Sequence, residues 1–92
     1  MIKSFKTKQT QTLFERNTVV KFKAIERQAL RRLSYLNAAT SLDDLKLPPS
    51  NRFEKLKGDK KDYYSLRVNR QWRVCFRWQD GHAYEVEIVD YH

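Results

Sequence analysis

The last third of the chain alternates apolar and polar residues with a period of two, which is typical of strands buried on one face. Three such segments follow one another: YYSLRV at 63–68, WRVCFRW at 72–78 and AYEVEIVDYH at 83–92. The middle segment places its apolar side chains on one face and Arg73, Cys75 and Arg77 on the other. The pattern therefore predicts an antiparallel meander of three strands.

The connection at 69–71 is short enough to predict how the first two of these strands pair. It sets Leu66 opposite Val74 on the apolar face, and it sets Arg67 opposite Arg73 on the polar face. Two like charges across a ladder are unfavourable unless something anionic lies between them. Two interpretations stay open: both arginines are ordinary solvated surface residues, or they bind an anion together.

The connection at 79–81 ends in a glycine, as a type I turn followed by a bulge requires. A three-residue loop here sets Phe76 opposite Tyr84, apolar against apolar. A two-residue Asp-Gly turn instead sets Phe76 opposite Glu85, which a buried face should reject. The sequence thus predicts the three-residue loop, with Tyr84 on the apolar face of the last strand.

Upstream of the strands, apolar spacings of three and four residues predict helices. Thr7 or Thr10 can cap a short helix that ends near Arg16, and a longer helix is predicted over 20–38. Its apolar stripe consists of Phe22, Ile25, Ala29, Leu33 and Leu36. A basic row on the same helix consists of Lys23, Arg27 and Arg31. This row is either a solvated face or a surface for an RNA backbone or an acidic partner.

The order of elements predicts the fold class. Residues 2–6 also alternate and predict a short first strand, although the pattern does not reveal its partner. A single apolar helix face against an antiparallel sheet makes a two-layer α+β domain. We therefore expect one domain over residues 1–92, in which a short and a long N-terminal helix pack on one face of the sheet.

Charge and cysteine content restrict the partners and the compartment. The 92 residues carry a formal net charge of +8, and residues 1–40 hold nine basic side chains against two acidic ones. Such an excess predicts a polyanionic partner, either a nucleic acid or an acidic protein. The single cysteine excludes an internal disulfide and favours a reducing compartment, so we expect the cytoplasm. No apolar run is long enough for a membrane span or a signal peptide.

Motifs for cofactors are missing from the sequence. There is no glycine-rich phosphate loop, no Cys/His spacing for zinc and no acidic cluster for a pair of metal ions. We therefore predict no cofactor and no metal. If the chain transfers phosphoryl groups, arginine and lysine must stabilise the charge.

Three motifs resemble the HigB branch of the RelE/ParE toxin superfamily. They are LKGD at 56–59, SLRVNRQWRVCF at 65–76 and EIVDYH at 87–92, and the resemblance extends over nearly the whole chain. It implies a RelE-like fold and a bacterial toxin that cuts mRNA in the ribosomal A site. The implied reaction is a metal-free attack by a ribose 2′-OH on the adjacent phosphate. The implied partner is a HigA-like helix-turn-helix antitoxin, through which alone the toxin would contact operator DNA.

The resemblance also implies the site residues. The active-site positions of the family fall on Lys57, Arg73, Asp90, Tyr91 and His92, with Arg67 and Glu54 as possible supporting residues. Arg73 and Lys57 would stabilise the phosphate, and Tyr91 would orient or stack on a base or hydrogen-bond the phosphate. Asp90 and His92 would transfer protons, and which of them takes the proton stays open. Some family members carry a histidine where this chain has Glu54, which is therefore a further candidate base.

Two other functions remain open at this stage. The ParE branch shares the fold and inhibits DNA gyrase without nuclease chemistry, and it would cause DNA breaks while leaving mRNA intact. A non-catalytic basic module would only bind a partner, and it would not be toxic when expressed alone. The Asp-Tyr-His ending suits RNA cleavage better than it suits gyrase inhibition.

Overall fold

The computed structural model describes residues 1–58 and 62–90. In this part of the chain two α-helices precede four strands. The helices are α1 (Lys8–Phe14) and α2 (Glu26–Ala38). The strands are β1 (Glu54–Lys55), β2 (Tyr63–Arg67), β3 (Trp72–Gln79) and β4 (His82–Asp90). Short 3-10 helices span Val20–Ile25, Leu42–Lys46 and Pro49–Asn51. The strands form an antiparallel sheet in the order β1-β2-β3-β4, with both α-helices packed against it. The predicted α+β fold class is confirmed.

The helices begin and bury their residues largely as the sequence predicts. The hydroxyl of Thr7 accepts a hydrogen bond from the backbone N–H of Thr10 and so caps α1. The predicted helix over 20–38 is α-helical only from Glu26, because its first residues form the 3-10 helix Val20–Ile25. Every residue of the predicted apolar stripe is buried in the core. The stripe packs on the sheet, mainly against β3 and β4.

The β2–β3 hairpin has the predicted register. Leu66 pairs with Val74, and Arg67 pairs with Arg73. Both Leu66 and Val74 have no exposed surface, which explains why a slip by one residue is not tolerated. The two arginines consequently lie side by side on the face of the sheet opposite to the helices.

The β3–β4 hairpin differs from the prediction. Its turn has two residues, Asp80 and Gly81, with φ values of 52° and 80°, as a type I′ turn requires. A bulge between Cys75 and Arg77 then inserts one extra residue into β4, at Glu85. The predicted three-residue loop was wrong because the sheet corrects its register through this bulge instead of through the turn. Beyond it, apolar positions again face each other.

The bulge also moves Tyr84 away from the core. Tyr84 pairs with Arg77, whose guanidinium carbon lies 4.8 Å from the centre of the tyrosine ring. Ala83 is fully buried and occupies the core position instead. The prediction that Tyr84 lies on the apolar face was therefore wrong.

A polar network stabilises the bulge. Arg77 Nε and the Tyr63 hydroxyl each donate a hydrogen bond of 2.9 Å to Glu85 Oε2. The bond from Arg77, followed by that from Tyr63, lowers the pKa of Glu85. Because Glu85 adopts a left-handed conformation with φ 53°, these contacts offset the strain of a non-glycine residue there.

We expect the contribution of Glu85 to stability to depend on pH. A carboxyl whose pKa is lowered on folding stabilises the protein above its unfolded pKa, about 4.3 for glutamate, and loses this effect as pH falls through the folded pKa. Glu85→Gln should therefore lower the free energy of unfolding at pH 7 and narrow its gap to the wild type at pH 3. Urea unfolding at both pH values measures this. A gap of equal size at pH 3 and pH 7 would contradict the assignment.

The N-terminal segment lies along the free edge of β4. Ile2 and Phe5 form isolated parallel bridges with Ala83 and Val86, and Lys3 N donates to Ala83 O at 2.7 Å. The predicted first strand is thus a pair of bridges rather than a continuous strand. Within the described ranges, no helix is long and apolar enough to cross a membrane.

Candidate active site

A cleft opens where the end of the β2–β3 hairpin meets the loop before β1. Its volume is about 910 Å³, which lies within the range of ligand sites, roughly 300–1,000 Å³. The described residues that line it are Pro49, Ser50, Arg52, Phe53, Glu54, Arg67 and Arg73. Three arginines against one glutamate give this lining a positive charge.

Arg73 is the most constrained of the cleft arginines. It is 8% exposed, its Nε donates to Ser65 Oγ at 2.8 Å, and its Nη2 donates to the Arg52 carbonyl at 2.7 Å. The Glu54 carboxylate lies 3.7 Å from the same Nη2. Strand β3 therefore fixes a cation in a single orientation at the wall of the cleft. A planar guanidinium held in this way suits the oxygens of a phosphate group.

Arg67 pairs with Arg73 across the β2–β3 ladder, and its backbone is hydrogen-bonded to helix α2. Arg67 Nε donates to the Asn69 carbonyl at 3.1 Å, and the Arg67 carbonyl accepts from Arg32 Nε at 2.9 Å. Burial lowers the pKa of Arg32, which is 8% exposed. Sequence reasoning missed Arg32, yet its spacing of three from Ala29 and four from Leu36 places it on the apolar stripe.

The opposite wall of the cleft depends on a buried asparagine. Asn51 has no exposed surface, and its Nδ2 donates to the carbonyls of Leu45 at 3.2 Å and Leu47 at 3.1 Å. The next residue, Arg52, is left-handed with φ 43° and ψ 54°, a conformation that costs a non-glycine residue about 1–2 kcal/mol. Asn51 therefore fixes the loop that presents the Arg52 carbonyl to Arg73.

We expect Asn51→Ala to lower the free energy of unfolding by about 1–3 kcal/mol. The carbonyls of Leu45 and Leu47 would lose the side-chain donor that they share. Ser50→Ala is the matched control, because Ser50 is an exposed neighbour in the same loop and should change stability by less than about 0.5 kcal/mol. Urea unfolding of the two variants compares these costs. Equal free energies of unfolding for Asn51→Ala and Ser50→Ala would contradict the role of the Asn51 side chain in fixing the loop.

The structure brings three of the predicted site residues together at one cleft. Arg73, Arg67 and Glu54 line the cleft, whereas the described lining includes neither Lys57 nor Asp90. Lys57 is exposed and lies two residues after β1.

Asp90 is exposed at the end of β4. It pairs with Trp72, and its Oδ2 accepts a hydrogen bond of 3.0 Å from Gln71 Nε2. Trp72 packs edge-on against Phe22 in the helix layer, so this register assigns Asp90 to the helix side of the sheet and Arg73 to the other side. The predicted residues Tyr91 and His92 lie outside the described residues.

In the described ranges, no group of three or more histidine, cysteine, aspartate or glutamate side chains could hold a metal ion.

Comparison with solved structures places the fold among the YoeB toxins. The chain superimposes on a chain of the heterotetrameric YoeB–YefM toxin–antitoxin complex from Staphylococcus aureus with a TM-score of 0.56 and 19% identity, covering 100% of this chain and 98% of that chain. A YoeB dimer from the same organism gives a TM-score of 0.55 at 19% identity, with 99% and 97% covered. At this identity the likeness concerns the fold alone.

The sequence identifies the family. Residues 3–92 match the HigB-like toxins, described as the RelE-like toxin of the type II toxin–antitoxin system HigB, and the chain belongs to this family. It is 36% identical over 98 residues to "Endoribonuclease HigB" of Proteus vulgaris, with all of both chains covered. It is 48% identical over 60 residues to "Toxin HigB-1" of Vibrio cholerae, a match that covers 65% of this chain and 63% of that protein. The resemblance read from the sequence is confirmed.

Proposed function

We propose that this toxin stops translation as a ribosome-dependent mRNA endonuclease that cuts the message in the A site. The observation that carries the proposal is the rigid guanidinium of Arg73 in a cleft with two further arginines. The Proteus vulgaris relative, which covers the whole chain, is named an endoribonuclease.

The proposed reaction is a metal-free attack by a ribose 2′-oxygen on the neighbouring phosphorus. The P–O bond to the 5′-oxygen of the next nucleotide breaks, which leaves a 2′,3′-cyclic phosphate and a free 5′-hydroxyl. Arg73 stabilises the charge that develops on the phosphorane oxygens. Arg67 lies close enough in the same cleft to share this charge, and Lys57 is assigned to it by family resemblance.

The reaction also needs one group that accepts the 2′-OH proton and one that donates a proton to the leaving 5′-oxygen. Among the described residues that line the cleft, Glu54 alone carries a carboxylate, and its side chain is half exposed. It is therefore our candidate base. On family resemblance, His92 is a candidate for proton transfer and Tyr91 for base stacking or phosphate contact. The same resemblance assigned proton transfer to Asp90, but Asp90 lies on the helix side of the sheet, away from Arg73, which argues against this role.

The partner that we propose is a HigA-like helix-turn-helix antitoxin in the bacterial cytoplasm. Membership of a type II toxin family implies an antitoxin, and the Staphylococcus aureus YoeB is found with its antitoxin YefM. Operator DNA would be bound through the antitoxin. Co-expression of the toxin with the product of the neighbouring reading frame should yield a complex and restore growth.

Primer extension on cellular messages tests the proposed activity. Induction of the toxin should produce discrete cuts inside translated reading frames, and removal of the start codon from a reporter message should abolish the cuts in that message. Growth arrest with intact messages would contradict the proposal. Arrest with gyrase-linked DNA breaks would instead support a ParE-like activity.

A further inference from the structure

We propose that the side chain of Arg52 binds a second phosphate of the message, next to the phosphate that Arg73 holds. This inference rests on the proposed function, and it concerns a residue that neither the motifs nor the family resemblance assigned. It gives the cleft two successive phosphate positions instead of one.

The first support is the placement of Arg52 beside Arg73. The Arg73 Nη2 atom donates to the Arg52 carbonyl at 2.7 Å, so the two residues are joined through the backbone of Arg52. The Arg52 side chain lines the same cleft and is exposed. A strand of RNA carries one negative charge at every nucleotide. A second cation beside the one that holds the scissile phosphate can therefore bind the adjacent phosphate.

The second support is that the cleft arginines differ in the hydrogen bonds that their guanidinium groups already make. Arg73 is buried and its Nε and Nη2 are engaged, while Arg67 Nε is turned to the Asn69 carbonyl. The Arg52 guanidinium makes no hydrogen bond or ion pair with any residue at 1–58 or 62–90. An exposed and uncommitted guanidinium in a cleft can follow a flexible RNA backbone, whereas Arg73 is fixed for one phosphate.

The third support is the backbone conformation of Arg52. Its φ of 43° belongs to the left-handed region, where glycine or asparagine fits with less strain. Nothing in the backbone role requires arginine, because any residue can present the carbonyl that Arg73 needs. A strained backbone conformation at a residue in a cleft motivates the hypothesis that this residue has a function there.

Arg16 provides a matched control for the simpler reading, in which Arg52 is only a solvated surface charge. Arg16 is also an exposed arginine with a left-handed backbone, with φ 69°, and it does not line the cleft. Arg52→Gly and Arg16→Gly therefore remove the same side chain, the same positive charge and the same kind of strain. Arg52→Lys restores the charge at the cleft without the guanidinium.

The test measures message cleavage on purified ribosomes programmed with a short mRNA. The toxin concentration for half-maximal rate and the maximal rate are determined over a series of KCl concentrations that leaves the ribosomes intact. Arg52→Gly should raise the half-maximal concentration about fivefold and leave the maximal rate within about twofold. The slope of log affinity against log salt should become shallower by about 0.7, as expected for one phosphate contact to a single strand. Arg52→Lys should recover most of the loss, and Arg16→Gly should match the wild type.

Each other outcome overturns a specific statement. Wild-type behaviour of Arg52→Gly, in affinity and in salt slope, would overturn the second phosphate position and leave the proposed function standing. Equal losses in Arg52→Gly and Arg16→Gly would show a general charge effect and would also overturn it. A wild-type protein that does not cleave messages on ribosomes would overturn the proposed function, and this inference with it.

Discussion

Arg73→Ala is expected to lower the rate of message cleavage about 100- to 1,000-fold, which is the usual cost of removing one group that stabilises transition-state charge. The buried guanidinium of Arg73 is oriented by Ser65 and by the Arg52 carbonyl. Neither Arg67 nor Arg52 is held in the same way, because Arg67 Nε donates to the Asn69 carbonyl and the Arg52 side chain is exposed. Cleavage on programmed ribosomes and relief of growth arrest measure the loss.

Stability must be separated from activity in this experiment. Arg73→Ala leaves Ser65 Oγ and the Arg52 carbonyl without this donor, at a cost of about 1–3 kcal/mol. Ser65→Ala breaks one of the same hydrogen bonds but keeps the cation, so it should lower the melting temperature and retain cleavage within about tenfold of the wild type. Arg73→Lys keeps the positive charge but lacks the planar guanidinium, so it should restore little of the cleavage rate that Arg73→Ala loses. A folded Arg73→Ala protein that cleaves as fast as Ser65→Ala would refute the role of Arg73.

Phe76→Ala is expected to lower the free energy of unfolding by about 3–5 kcal/mol. Phe76 has no exposed surface, pairs with Tyr64 and lies at the bulge of the β3–β4 hairpin. Its ring contacts Tyr64 and Trp78 at centroid distances of 6.1 and 6.3 Å. In a chain of this size each kcal/mol shifts the melting temperature by about 4–8 °C, so thermal unfolding resolves the effect clearly.

Phe76→Leu is the control for this prediction. Leucine keeps an apolar side chain of similar volume at the bulge and should cost less than about 1.5 kcal/mol. If Phe76→Ala were no less stable than Phe76→Leu, the bulge would not depend on the ring that it packs against.

The parts of the fold that local pattern determines could be predicted from the sequence. The helical stripe is predictable because its apolar spacing matches one turn of helix, and each of its residues is buried. The β2–β3 register is predictable because Leu66 and Val74 admit only one alignment of apolar positions. The like-charged pair of Arg67 and Arg73, which follows from that register, was the best sequence signal for the cleft.

The β3–β4 register could not be predicted, because a bulge has no distinct signal in this sequence. Glu85 adopts φ 53° without being glycine, and the alternation of side chains is readable on either side of it. The Asp80–Gly81 dipeptide suits a type I′ turn, but without a bulge that turn sets Phe76 against a glutamate. The bulge at Glu85, within strand β4 and away from the turn, restores the pairing of apolar positions.

The rest of the site depends on contacts between segments that are far apart in the chain. The Arg32 side chain donates to the Arg67 carbonyl across 35 positions, and the Arg73 side chain donates to the Arg52 carbonyl across 21. The periodicity of residues within one segment cannot predict hydrogen bonds between segments that are far apart in the chain. For the same reason the sequence did not show that Asp90 pairs with Trp72 while Arg73 faces the other side of the sheet.

The chemical ends of the RNA product test the central proposal most directly. Purified toxin is incubated with programmed ribosomes, and both fragments of the message are examined by mass spectrometry. Attack by the 2′-OH in the Arg73 cleft predicts a 2′,3′-cyclic phosphate on the upstream fragment and a 5′-hydroxyl on the downstream fragment. An uncut message, or fragments with a 3′-hydroxyl and a 5′-phosphate, would contradict the proposal.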